Sequence, residues 1–103
     1  MEKIVLEPGA NQTQILALYE NEQQVGHMVV SIRGNELTAE HTEIEPAYRN
    51  GGFGAKLVAG MADYVRTHGM RVAALCPYTY AQFNRHPEKY ADIWRKGVRP
   101  LNA

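Results

Sequence analysis

Two short stretches of the chain carry groups whose types and spacing could do chemistry. In His41-Thr42-Glu43 the imidazole and the carboxylate stand two residues apart, so on a strand they share one face. An amine with a pKa near ~10 is mostly protonated at pH 7, and an imidazole titrating near neutrality can remove that proton. Glu43 needs a raised pKa or a relay water for the same task. Each also has a plain reading, His41 as a hydrogen-bonded strand histidine and Glu43 as a solvated charge. In Arg49-Asn50-Gly51-Gly52-Phe53-Gly54, three glycines fall within four residues beside an arginine, at the mouth of an apolar run of helical period. Glycine at that density costs chain entropy. In exchange, backbone N–H groups at a helix N-terminus can approach an anion with no Cβ in the way, and Arg49 adds a charge-assisted contact. A diphosphate suits this arrangement better than a single carboxylate. The alternative is that the glycines only make a tight turn and pack helix on sheet. The single cysteine, Cys76, is either a nucleophile that His41 could activate or a small buried apolar residue.

The elements that must position these groups follow from apolar periodicity. Residues 3–7, 13–20, 25–33 and 36–45 read as strands, broken by Pro8-Gly9, Asn21-Glu22 and Gly34-Asn35. Residues 13–20 carry apolar side chains on both faces. Four antiparallel strands in a meander therefore make up the first half. Pro46 ends the fourth, and the glycine loop follows. Phe53, Leu57, Met61 and Val65 recur every four residues, with Val58 and Ala62 beside them, which predicts a helix over 52–68 ended by Gly69. Residues 70–76 are a buried strand reached through that helix, so a right-handed crossover sets it parallel to 36–45. Pro77 stops it. Thr79 caps a short helix through Arg85, and Pro87 starts another with Tyr90, Ile93 and Trp94 inward. The fold class is α+β, in one domain over 1–103.

Composition narrows the function classes. The chain has 103 residues, 45% of them apolar, and its 11 basic and 11 acidic residues cancel. Zero net charge gives no pull toward nucleic acid or an anionic membrane. No apolar run reaches the ~18 residues of a membrane span, and MEKIVLEPG lacks the apolar centre of a signal peptide. With one cysteine, the cytoplasm is the expected compartment. His27, His68 and His86 have no ligand-like spacing, which predicts no metal. The glycine loop is not a Walker motif, since no Gly-Lys-Ser/Thr follows. It is a poor dinucleotide fingerprint too, because no strand-helix-strand unit leads into it.

Arg49, Gly52 and Gly54 resemble the Arg/Gln-x-x-Gly-x-Gly/Ala signature of the GNAT superfamily of acyl-CoA-dependent N-acetyltransferases. His41 to Pro46, Tyr48-Arg49, Cys76-Pro77-Tyr78, His86-Pro87-Glu88 and Tyr90 are similar to its short subfamily of about one hundred residues. The resemblance covers roughly residues 25 to 95. It implies the GNAT fold, acetyl-CoA as the cofactor, and Arg49, Asn50, Gly51, Gly52, Phe53 and Gly54 holding the diphosphate of coenzyme A. In that fold the last meander strand and the crossover strand splay apart, and unpaired amides bind the pantetheine arm. The resemblance thus implies that Ile44 and Glu45 lie on the cofactor, with an amide near Ile44 facing the thioester carbonyl. It places Asn84 and Tyr80 where family members contact the pantetheine or protonate sulfur.

The activity so implied is acetyl transfer to an amine, a protein lysine or N-terminus or a small amine. His41 or Glu43 is the base, and direct transfer is expected in place of a Cys76-acetyl step. The helices that larger members place over the acceptor are missing, which leaves that side open or closed by a second subunit in a homodimer. The competing readings are a non-catalytic acyl-CoA-binding module and a protein-interaction module.

Overall fold

The computed structural model describes residues 2–101. Five strands form one sheet in the order β1 (Glu2–Pro8), β2 (Gln14–Glu20), β3 (Gln23–Arg33), β4 (Glu36–Ile44), β5 (Arg71–Ala74). The first four pair antiparallel, and β5 joins β4 in parallel with Glu36 opposite Arg71 and Ala39 opposite Ala74. Asn21 and Glu22 turn the β2–β3 hairpin with φ of 50° and 69°. Between β4 and β5 run a 3-10 turn at Pro46–Tyr48 and the long helix α1 (Phe53–Thr67). Two short helices follow, α2 (Pro77–Arg85) and α3 (Pro87–Tyr90). Among the described residues, no helix is long and apolar enough to cross a membrane.

Period two on the strands and 3.6 on α1 build a single core. Leu16, Leu18, Met28, Val30, Leu37, Ala39, Val72 and Ala74 turn toward Leu57, Val58, Met61, Ala62 and Val65 of α1. Burying each of the larger side chains contributes about 1.5–3 kcal/mol before chain entropy is set against it. β2 is covered on both faces, as its sequence predicts: Ala17, on the face away from α1, is also fully buried. Phe83 packs against Tyr90 at 4.8 Å and Trp94 at 5.5 Å, anchoring the C-terminal segment. Trp94 bridges to Val72, whose N–H donates to Ile93 O at 2.7 Å and whose carbonyl accepts from Arg95 N at 2.9 Å. The outer edge of β5 is thereby sealed.

Three details depart from the periodicity. β5 is shorter than the expected 70–76, because Ala39 O accepts the N–H of both Leu75 and Cys76, at 3.0 and 2.8 Å, and the ladder ends there. Helix α2 begins at Pro77, with Cys76 as its N-cap and no capping side chain. Thr79 therefore sits inside the helix, buried, and its hydroxyl has no partner among the described residues. The third departure is a bulge: Val29 lies opposite His41 and Val30 opposite Ala39, so Glu40 is an extra residue on β4. Ahead of it, Leu37 and Ala39 face the core. Beyond it, Thr42 and Ile44 do, while His41 and Glu43 are exposed on the other face.

Candidate active site

The glycine loop is a run of free donors. Asn50 and Gly52 adopt φ of 72° and 79°, a left-handed conformation that glycine accepts without strain. Gly52 is the N-cap of α1 and offers no side chain to its amides. Lys56 N, bonded to Gly52 O at 3.2 Å, is the first to close the helix. Among the described residues, no backbone hydrogen bond of ordinary geometry takes up the N–H groups of residues 50–55, although residues 49–52 form a turn. The first turn carries no acidic residue. Six consecutive donors thus gather at the positive end of a 15-residue helix, which is the physical requirement for an anion site. Arg49 stands beside them, its Nε donating to Ile44 O at 3.3 Å.

A cleft of about 230 Å³ opens at this point, lined by Ile44, Tyr48, Arg49, the loop and Tyr78. Tyr78 is the residue that sequence reasoning missed. Its ring lies over Gly54 so closely that a Cβ there would stand 2.7 Å from the hydroxyl. A side chain at position 54 would therefore push the half-exposed Tyr78 ring outward. Gln82 Nε2 donates to Tyr78 Oη at 3.4 Å. Burial raises the Tyr78 pKa above the usual 10, with Arg85 acting against the shift, so the phenol keeps its proton as a donor. The signal was present: Pro77 fixes where α2 starts, and Tyr78 is one residue on. Tyr80, about 200° further round the helix, packs edge-on against Trp94 at 6.0 Å. Asn84 is exposed and, like Tyr80, does not line the cleft.

The cleft continues into the gap between β4 and β5. Past Ala39 the two strands no longer pair, and β4 runs on to Ile44 held by β3 alone. Glu45 donates its N–H to Val25 O at 2.8 Å, on the β3 side. By the alternation of an antiparallel ladder, Ile44 turns its N–H and C=O to the open side. Arg49 at Ile44 O agrees with this. Of the two residues expected on the cofactor, Ile44 presents a free amide and Glu45 does not.

Cys76 is 2% exposed, and its sulfur lies 3.3 Å from Thr42 Oγ1 at the vertex of the gap. His41 is not its partner. Being next to Thr42 on a strand, His41 points to the opposite face. There its Nε2 lies 3.6 Å from Glu43 Oε1, with the two side chains 62% and 55% exposed. The bulge at Glu40 causes this separation, and the change of apolar parity between Ala39 and Ile44 was its sequence signal.

The family described as GCN5-related N-acetyl-transferase matches residues 15–93. No curated protein matches by sequence. Among solved structures, the chain is similar to a GCN5-like N-acetyltransferase candidate from Staphylococcus aureus, with TM-score 0.62, 16% identity and 88% and 87% of the two chains covered. It is also similar to the ribosomal-protein-S18-alanine N-acetyltransferase of Escherichia coli (TM-score 0.57, 16% identity, 64% of this chain and 43% of that one). A third is N-acetylglutamate synthase from Neisseria gonorrhoeae, complexed with coenzyme A and N-acetyl-glutamate (TM-score 0.57, 18% identity, 80% and 21%). The chain spans about two fifths of the length of the first two structures it matches, and at identities of 16–18% these likenesses are of fold alone.

Proposed function

Since the chain belongs to the GCN5-related N-acetyltransferase family, we propose that it transfers an acetyl group from acetyl-CoA to an amine, directly and without a covalent enzyme intermediate. The observation that carries this reading is the row of free N–H groups at residues 50–55, flanked by Arg49 and open to the cleft. The residues fit the cofactor: donors without partners face a groove kept open by Gly54, and coenzyme A brings a diphosphate. Bound there, acetyl-CoA supplies an acyl group activated as a thioester.

The chain's own groups then have distinct tasks. The loop amides and Arg49 hold the diphosphate. The Ile44 N–H, on the open edge of β4, is placed to polarise a carbonyl in the gap between the strands. His41 and Glu43, on the exposed face, take the proton the amine must lose. Tyr78, whose hydroxyl lies over Gly54 among the loop amides, is our further hydrogen-bond donor to the diphosphate. Direct transfer is favoured because Cys76 is buried against Thr42 and has no base beside it. The structural neighbours act, by name, on a ribosomal protein's alanine and in making N-acetylglutamate, so both protein and small-amine acceptors remain in view.

Calorimetric titration with coenzyme A, followed by acetyl transfer to a panel of amines, tests the proposal. His41→Ala or Glu43→Ala should lower kcat by about 10²-fold if that residue is the base. No binding at millimolar coenzyme A would overturn the reading. The exposure of His41 and Glu43 favours a second one, a non-catalytic acyl-CoA-binding module. In that case coenzyme A binds and no amine is acetylated.

A further inference from the structure

β1 is an edge strand whose sequence is complementary to itself. The far edge of β5 is closed by Trp94, and the free edge of β4 belongs to the cleft. Among the described residues, β1 pairs only with β2 and leaves its other side open along its full length. Gly9 N donates to Thr13 O at 3.1 Å, continuing the β1–β2 ladder. By alternation, Lys3, Val5 and Glu7 turn their backbone groups to β2, and Glu2, Ile4 and Leu6 turn theirs outward. Ile4 and Leu6 are half-buried on the α1 face, where a groove with an apolar floor of Leu16, Leu18 and Gly60 is rimmed by Lys56 and Asp63. Lys3, on the other face, has no ion-pair partner among the described residues. Glu7 accepts from Tyr19 with Oε2 at 2.8 Å and keeps Oε1 free.

We propose that β1 pairs antiparallel with β1 of a second copy about a two-fold axis at Val5, giving a ten-stranded sheet across a homodimer. In this register Ile4 lies opposite the partner copy's Leu6, and these two residues carry the outward N–H and C=O groups, so they exchange both hydrogen bonds, once on each side of the axis. Lys3 lies opposite Glu7 of the second copy, again twice. Glu2 lies opposite Pro8, whose missing N–H falls at the end of the ladder. Neighbouring symmetric registers fail: centring on Ile4 sets Lys3 against Val5, and centring on Leu6 sets Val5 against Glu7. A lysine on an edge strand ordinarily blocks pairing. Here it selects one register, because only the Val5-centred arrangement neutralises it. An axis normal to the sheet keeps both α1 helices on one side, so the two grooves meet. β2 and β3 separate this edge from β4, so each subunit keeps its own open cleft and the interface leaves acetyl transfer untouched.

Sedimentation equilibrium of the full chain at up to about 100 µM should give twice the 11.6 kDa chain mass. Lys3→Glu or Glu7→Lys sets like charges opposite one another twice and should weaken association about tenfold or more. The double variant Lys3→Glu/Glu7→Lys should restore it, which a merely structural effect of either change would not do. Circular dichroism checks that each variant is folded. A second route needs no charge change: Val5→Cys places two sulfurs across a non-hydrogen-bonded pair with Cα atoms about 4.5 Å apart, within disulfide range. Mild oxidation should cross-link Val5→Cys and leave Ile4→Cys monomeric on a denaturing gel. A monomer mass for the unmodified chain, failure of the double swap to restore association, or equal cross-linking at both positions overturns the proposal.

Discussion

Gly54→Ala separates a fold role from a ligand role for the glycine loop. The new Cβ would stand 2.7 Å from Tyr78 Oη, 2.8 Å from Cζ and 3.0 Å from Cε2. Ordinary contact begins at 3.4 Å, so the hydroxyl must retreat by roughly 0.7 Å. Tyr78 is 39% exposed and can swing outward. Gly54 has no positive φ, and alanine is the better helix former by up to about 1 kcal/mol. The melting temperature should therefore hold or rise. Binding should suffer, because the methyl group sits among the amides of residues 53–55. Each hydrogen bond to a charged oxygen is worth about 1.5–3 kcal/mol, so losing one weakens coenzyme A about 10- to 150-fold. Calorimetry should compare coenzyme A with pantetheine, which lacks the diphosphate. The expected result is a loss confined to coenzyme A. An unchanged coenzyme A affinity, or an equal loss for both ligands, would refute the diphosphate assignment.

Arg49→Ala should weaken coenzyme A about tenfold, with the difference shrinking as salt is raised in the titration. Cys76→Ala should leave kcat within about threefold while lowering denaturant stability by about 1–2 kcal/mol; a fall in kcat beyond about 100-fold would instead support an acetyl-cysteine route. Thr79→Val removes a buried hydroxyl that has no partner and should raise stability by about 1 kcal/mol in urea unfolding. Arg66 donates to both carboxylate oxygens of Asp92, at 2.8 and 3.1 Å, and holds the Asp92 pKa below its usual 3.8. A carboxyl depressed in the folded state stabilises above its unfolded pKa and loses that effect as pH falls through the folded one. Asp92→Asn should therefore flatten melting temperature against pH below about pH 4 and change its slope little above that.

Much of the fold was legible because its signals were long and periodic. Leu57, Met61 and Val65 fixed the buried face of α1, and the hairpin residues Asn21-Glu22 and Gly34-Asn35 fixed the meander. What escaped was local and hydrogen-bonded. Two amides sharing the Ala39 carbonyl shortened β5, though the apolar run MRVAALC gave no stop before Pro77. One extra residue at Glu40 decided which face His41 took, and a strict alternation from Glu36 would have missed it. Gly52 and Gly54 were legible as a pair but for different reasons. Gly52 answers a left-handed φ, and Gly54 answers the ring of Tyr78, twenty-four residues on, which spacing alone does not reveal.

The stitch between Val72 and Trp94 also bears on the order of assembly during synthesis. β1 to β4 form a meander of neighbours and can zip as they emerge. β5 has only four residues, and its outer hydrogen bonds come from Ile93 and Arg95, some twenty positions later. Until those residues clear the ribosomal tunnel, Val72 and Phe83 face water on a half-finished flank. Nascent chains stalled before Trp94 should thus be sensitive to protease, and chains released past Arg95 should resist it.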